Sequence, residues 1–250
     1  YAEKVNSYVA PLFEKVVLDK NGEAGNGSHP AKHSSTVEVE KKYSDYGIWD
    51  YRFWYDWRLS PITTAEELKN YIDRVTEATG KDKVQLVGRC YGANVIQAYI
   101  TLYKDHALEN VSDVSYYASS VMGIDYMTAL FSGEVVLEDK AVTNFAEYYL
   151  EDENLIEDEV LSGFVYALLD VFRQAEVLGL GTDALLMLFN EIKGDLIPEL
   201  LPNIIGTWTS YWSMVTADKY EQAIEFVYGD RRDEYRVRSE ERFSRNAETD

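Results

Sequence analysis

Cysteine is almost missing from this 250-residue chain: Cys90 stands alone, which excludes an internal disulfide framework and leaves the compartment unread. Histidine is nearly as scarce, with His29, His33 and His106 too few for a rich metal site. Basic residues number 24 against 44 acidic ones, for a formal net charge of −20. That balance argues against binding a phosphate backbone, so no nucleic-acid partner is expected. Long apolar runs are absent too. The most apolar stretch, Leu161 to Leu178, is interrupted by Asp170, Arg173 and Glu176, and a soluble protein is expected. The chain opens at Tyr1 with no basic stretch before an apolar signal core. Either a leader has been removed or these ends are not the natural ones.

What is present is aromatic. Twenty Tyr, nine Phe and five Trp exclude disorder over the whole length. With 46% hydrophobic residues, the chain has enough for one sizeable core, or a core plus a smaller cap.

Residues 1 to about 20 read as a helix, with Val5, Val9, Leu12, Phe13 and Val16 at helical spacing. The stretch from Lys20 to Ser35 is a polar, glycine-bearing loop. Pro30 and the nearby glycines keep His29 and His33 off a common helix face, so no metal is expected there. Tyr51 to Asp56, dense in aromatics, reads as a buried strand. Thr64, three residues before Glu67, has capping-box spacing and predicts a helix from Ala65, closed at Gly80. A strand follows over Lys83 to Gly88, then a helix from about Tyr91 to Lys104 and a third strand over Asp113 to Ala118. This alternation predicts a parallel α/β core in residues 1–123.

From Ile124 the character is helical. Leu161, Phe164, Val165, Leu168, Phe172 and Ala175 make one stripe, and Ala184 to Ile192 starts another. Residues 133 to 199 hold 16 acidic and 3 basic side chains, the pattern of a solvated helical surface. Residues 124–250 are therefore expected to form a large helical lid or cap.

The chemistry centres on Gly88-Arg89-Cys90-Tyr91-Gly92, between a strand and a helix. This is the spacing of a nucleophile elbow. The nucleophile occupies a strained, tight turn, and the flanking glycines Gly88 and Gly92 let neighbouring elements approach without a Cβ clash. At a helix N-terminus, the dipole and free N–H groups favour a thiolate. The backbone N–H of Tyr91 is a candidate donor to a tetrahedral oxyanion. His106 lies sixteen residues further on, more than about 20 Å along a helix at roughly 1.5 Å per residue, and is read as a helix C-terminal residue rather than a general base.

Tyr55-Asp56-Trp57-Arg58-Leu59-Ser60-Pro61 resembles the Y-D-W-R-x-x-P signature of the lecithin:cholesterol acyltransferase-like family of α/β hydrolases. As in that family, a helix and a V-x-L-V-G strand feeding the elbow come next. Ala118 to Glu134 resembles the family's following loop and short helix. The resemblance covers roughly residues 45 to 135 and implies a lid over an acyl pocket at 136–245. The family elbow usually reads G-H-S-x-G, whereas Arg89 and Cys90 stand here. Cysteine serves in related elbows, such as those of dienelactone hydrolases and polyhydroxyalkanoate synthases. Neither a His-Gly oxyanion loop nor later strands bearing an acid and a histidine are evident, which suggests an incomplete core.

Two readings follow. In the first, Cys90 accepts the acyl group of an apolar ester, as in a lipase, esterase or acyltransferase. Trp208, Tyr211 and Trp212 line the substrate pocket in that reading. No cofactor or metal is required, and another chain or missing termini complete the sheet and the triad. In the second, the same fold is a non-catalytic binding or assembly module. A purely helical interaction protein, built on the acidic helices, is a third possibility. Arg58 is expected to pair with a carboxylate and fix its loop.

Overall fold

The computed structural model describes residues 11, 13–19, 22–24, 27–35, 42–43, 49–134 and 201–235. The chain divides into two compact units: residues 1–17 with 134–206, and residues 18–133 with 207–250. The second unit carries the elbow. Of the helix expected over residues 1–20, residues 11 and 13 are helical, 14–16 form a turn and 17–19 are irregular, so it does not reach residue 20. Its first ten residues, the stripes of residues 161–192 and the larger part of the expected lid lie outside the described residues.

Helix α1 (Pro61–Thr79) is started by Ser60. The Ser60 hydroxyl accepts the Ile62 N–H at 3.1 Å, and Pro61 takes the first helical position, where a missing N–H costs nothing. The helix therefore begins four residues earlier than the capping-box spacing predicts. Thr64 is buried within the first turn, its hydroxyl donating to the Ser60 carbonyl at 3.0 Å. Glu67 faces His33 instead, at 3.1 Å. The expected stop holds: Gly80 has φ 63°, and its N–H returns to the Thr76 carbonyl. Ala65, Leu68, Ile72 and Val75 share the buried stripe.

Strand β3 (Val84–Arg89), helix α2 (Tyr91–Leu102), helix α3 (Lys104–Asn110) and strand β4 (Val111–Tyr117) follow in order. The strands β3 and β4 are parallel, with Leu86 opposite Val114 and Gly88 opposite Tyr116. Short strands β1 (Lys42–Tyr43) and β2 (Trp49–Asp50) make a separate antiparallel pair. The fold is thus mixed α/β with a two-stranded parallel sheet among the described residues.

Tyr51 to Asp56 is not a strand. Ser34 and Trp54 exchange backbone and hydroxyl bonds instead: the Ser34 N–H donates to the Trp54 carbonyl at 2.7 Å, and the Trp54 N–H to Ser34 Oγ at 2.6 Å. This segment's aromatic rings pack on α1 and α2 without joining the sheet, Phe53 against Tyr71 and Tyr55 against Tyr91. The predicted third strand is β4, two residues earlier than expected at its start.

The core beside the sheet joins Ala65, Leu68 and Ile72 of α1 to Leu86 of β3 and to Val95, Ile96 and Tyr99 of α2. Each such aliphatic side chain contributes roughly 1.5–3 kcal/mol through burial. After β4, helix α4 (Asp125–Ser132) ends at Gly133 with φ 75°. A short helix α5 (Thr209–Trp212) and helix α6 (Tyr220–Tyr228) close the described chain, flanked by 3-10 turns at Ala217–Lys219 and Gly229–Tyr235. Several bonds attach this distal segment, two of them to the α4 region. Ile124 N–H donates to the Met214 carbonyl at 2.7 Å, and Thr216 N–H to Thr128 Oγ1 at 2.9 Å. No helix among the described residues is long and apolar enough to cross a membrane.

Candidate functional site at the Cys90 turn

Cys90 is the one-residue hinge between β3 and α2. Its backbone has φ 49° and ψ −121°, a conformation that costs a residue with a Cβ roughly 1–3 kcal/mol. Its N–H donates to the Tyr117 carbonyl at 2.9 Å, and its carbonyl accepts the Ala93 N–H at 3.0 Å. Held on both sides, the side chain is presented to solvent at the carboxyl end of the parallel pair. That end is where open α/β sheets place their ligands. Ala118, just after β4, has φ 44°, so strained backbone occurs at the ends of both strands.

The two elbow glycines do different work. A Cβ on Gly88 would lie 2.8 Å from Ile96 Cδ1 and 2.9 Å from the Ala93 backbone, so α2 packs on β3 only because that atom is absent. A Cβ on Gly92 would meet nothing nearer than the Tyr55 hydroxyl at 3.8 Å. The expected close approach is therefore confined to Gly88.

Tyr91 opens α2 with a buried ring, and its hydroxyl donates to the Leu59 carbonyl at 2.7 Å. That bond anchors the 55–61 loop beside the elbow. Inside the loop, the Arg58 guanidinium grips the Asp56 carboxylate, with Nη2 2.5 Å from Oδ2 and Nε 2.9 Å from Oδ1. Both residues are buried. Arg58 also donates to Ser28 Oγ at 2.7 Å, and its carbonyl accepts the Ser210 N–H at 3.1 Å. The expected role of Arg58, fixing the loop through a carboxylate, is what the geometry shows.

Asn94, in the first turn of α2, is buried and holds three segments together. Its Nδ2 donates to the Ser120 carbonyl at 3.3 Å and to the Ser213 carbonyl at 3.2 Å. Its Oδ1 accepts from Ser120 Oγ at 2.8 Å. This amide carries the turn bearing Tyr211 to the elbow helix.

The 55–61 loop packs on the α5 turn through aromatic rings. Trp57, Trp208 and Tyr211 form one cluster, with centroids 5.0 Å apart for Trp57–Trp208, 5.7 Å for Trp57–Tyr211 and 5.1 Å for Trp208–Tyr211. Trp208 is buried and Trp57 is 44% exposed, so Trp57 is the solvent-facing member of the cluster. Burial, and then the nearby Cys90 charge, hold the Tyr55 and Tyr211 phenols above their ordinary range. Both tyrosines thus stay protonated within electrostatic reach of the thiol. Trp212 lies elsewhere. It meets Phe131 edge-on at 4.7 Å and stacks on Tyr228 at 5.3 Å, within the packing of α4, α5 and α6.

Of the sequence-predicted residues, the structure thus brings Cys90, Tyr91, Gly88, Gly92, Tyr211 and Trp208 to one region, and Trp212 to another. Sequence reasoning missed Tyr55 and Trp57 as site residues and the Asn94 bonds altogether. Their signal was only the aromatic density of the 55–61 loop.

No histidine bonds Cys90. His106 Nδ1 lies 2.7 Å from the Tyr99 hydroxyl and its Nε2 2.8 Å from Asp73 Oδ1. His33 meets Glu67 and Ser35, and His29 the Pro30 carbonyl. No group of three or more His, Cys, Asp or Glu side chains among the described residues is placed to hold a metal ion. Compared with known proteins, the chain matches no family model, no curated protein and no solved structure.

Proposed function

We propose that the chain is a lipase-, esterase- or acyltransferase-like protein of α/β-hydrolase type, in which Cys90 accepts the acyl group of an apolar ester. The observation that carries this reading is the backbone of Cys90. A solvent-exposed cysteine is held at φ 49° between a parallel strand and a helix N-terminus, by bonds to Tyr117 and Ala93. Conformational cost of this kind collects at functional sites.

In the proposed step the thiol loses its proton to water, and the thiolate sulfur attacks the acyl carbonyl carbon. The carbonyl electron pair moves to oxygen, facing the N-terminal turn of α2, where the positive end of the helix favours a developing oxyanion. Tyr91 N–H is the donor assigned to it. The carbon–oxygen bond then breaks and the alcohol leaves with a proton. The thioester that remains passes its acyl group to water or to an acceptor alcohol. Trp57, the exposed member of the aromatic cluster, suits an apolar acyl chain.

A second reading is favoured by the histidines: His29, His33 and His106 are each bonded away from Cys90. It is a non-catalytic module of the same fold. In the catalytic reading, deacylation then draws its base from another chain or segment that completes the sheet and triad.

Incubation with p-nitrophenyl butyrate, read by intact mass, separates the two. A butyryl adduct on Cys90, absent from Cys90→Ala, supports acyl acceptance. A chain labelled by iodoacetamide but not by the ester is the non-catalytic module.

A further inference from the structure

The tyrosines of the elbow region divide by what their hydroxyls touch. Tyr71 donates to the Arg52 carbonyl at 2.9 Å, Tyr91 to the Leu59 carbonyl at 2.7 Å and Tyr116 to Gln97 at 3.2 Å, while Tyr99 meets His106 at 2.7 Å. Each of these fixes one element on another. The hydroxyls of Tyr55 and Tyr211 bond no protein group among the described residues. Yet both rings are locked: Tyr55 between Phe53 at 5.2 Å and Tyr91 at 6.2 Å, Tyr211 between Trp57 at 5.7 Å and Trp208 at 5.1 Å. Neither phenol oxygen is among the buried polar atoms that lack a partner, so both hydroxyls are open to water or to a ligand.

Their placement is specific. The Tyr55 hydroxyl reaches the first turn of α2, 3.8 Å from where a Gly92 Cβ would stand. Tyr211 is carried to the same turn by the Asn94–Ser213 bonds. The two arrive from chain segments on either side of the elbow, in the region that lacks a histidine.

We propose that Tyr55 and Tyr211 are catalytic proton donors to the leaving oxygen of the ester attacked by Cys90, occupying the role that a histidine has in a triad. This rests on the reading of Cys90 as acyl acceptor and names the acid of that step. As the carbonyl carbon–oxygen bond breaks, its electron pair goes to the leaving oxygen, which takes a phenolic proton. The phenolate then recovers a proton from the water that received the thiol proton. The net change is ester plus thiol giving thioester plus alcohol. Both phenols are protonated at neutral pH, and their upward shift keeps them so while making them weaker acids; general-acid assistance is commonly worth about 10²–10⁴-fold.

The test uses the full chain with Tyr55→Phe, Tyr211→Phe and the double variant, which keep the rings and remove only the hydroxyls. Three rates are taken for each: Cys90 acylation by p-nitrophenyl acetate, acylation by phenyl acetate, and alkylation by iodoacetamide. The proposal expects a loss of about tenfold or more with phenyl acetate, whose leaving group needs a proton. With p-nitrophenyl acetate the loss should be smaller, and alkylation should stay within about twofold of the parent. A merely structural role would lower all three rates together. Equal losses with both esters, or none, would overturn the tyrosine role while leaving acyl acceptance intact. A parent chain that alkylates but takes no acyl group from either ester would overturn acyl acceptance and the tyrosine role with it. Each single variant is scored separately, so misfolding of one does not spare the proposal.

Discussion

Cys90, the residue just after β3, and Tyr117, the last residue of the adjacent parallel strand β4, are bonded: the Cys90 N–H donates to the Tyr117 carbonyl at 2.9 Å. That one bond joins the two sites of backbone strain, since Ala118 follows Tyr117 directly. Among the described residues, Cys90 and Ala118 are the two non-glycine residues with positive φ. The strand ends thus hold one another in place at the mouth of the elbow.

Replacing Cys90 by glycine should raise stability by about 1 kcal/mol, because glycine adopts φ 49° without the Cβ penalty. Thiol labelling should vanish, Cys90 being the only cysteine. Urea denaturation of parent and variant checks the first point. A variant less stable than the parent would show that the turn is unstrained.

Gly88→Ala should destabilise by about 1–3 kcal/mol, since its new methyl group meets the Ala93 backbone, which has no free rotamer to yield. Gly92→Ala has room and replaces a helical glycine, so it should be neutral or stabilising by up to about 1 kcal/mol. Paired thermal melts distinguish two equivalent glycines from this unequal pair.

Arg58→Met should cost about 3–5 kcal/mol, because it leaves the buried Asp56 carboxylate without its ion partner. Asp56→Asn combined with Arg58→Met should recover part of that loss. A double-mutant cycle by chemical denaturation measures the coupling.

Acid and alkaline limits of stability should both involve the chain from Asp73 through His106 to Tyr99. Burial works upward on the Asp73 carboxyl, but hydrogen bonds from His106 and Lys69 outweigh it and hold the group below its ordinary 3.8. A depressed carboxyl stabilises the fold above pH 3.8 and loses that contribution as pH falls through its folded value. Tyr99 is pushed from 10.0 up to about 12, by burial first and by the Asp73 charge second. Its contribution is full below pH 10.0 and is lost as pH rises toward about 12. Stability measured against pH should therefore flatten on the acid side in Asp73→Asn and on the alkaline side in Tyr99→Phe. Unchanged profiles would discount the chain's linkage.

Local punctuation was readable in the sequence. Gly80 ends its helix where expected, and Gly88-Arg89-Cys90-Tyr91-Gly92 forms the strand-to-helix turn its spacing predicts. The start of α1 was visible too, in Ser60-Pro61, but the competing Thr64–Glu67 spacing suggested a later start. Tyr51 to Asp56 misleads because aromatic density looks the same whether rings pack a sheet or a neighbouring helix. Only its bonds to Ser34 decide, and these come from twenty residues away. The aromatic cluster was illegible for a related reason: the 55–61 loop and the α5 turn have no periodic relation in the chain. They meet through buried polar contacts at Asn94 and Arg58, which composition does not announce.

Asn94 sets a timetable for biosynthesis. Its amide is buried, yet one partner, Ser213, lies 119 residues downstream. At roughly 5–20 residues per second, a ribosome that has made Asn94 needs about 6 to 24 s to make Ser213. Until then the amide has only its Ser120 bonds, and the second acceptor of its Nδ2, at Ser213, is missing. The bonds that tie the elbow helix to the α5 turn are therefore made last, after most of the chain has been translated.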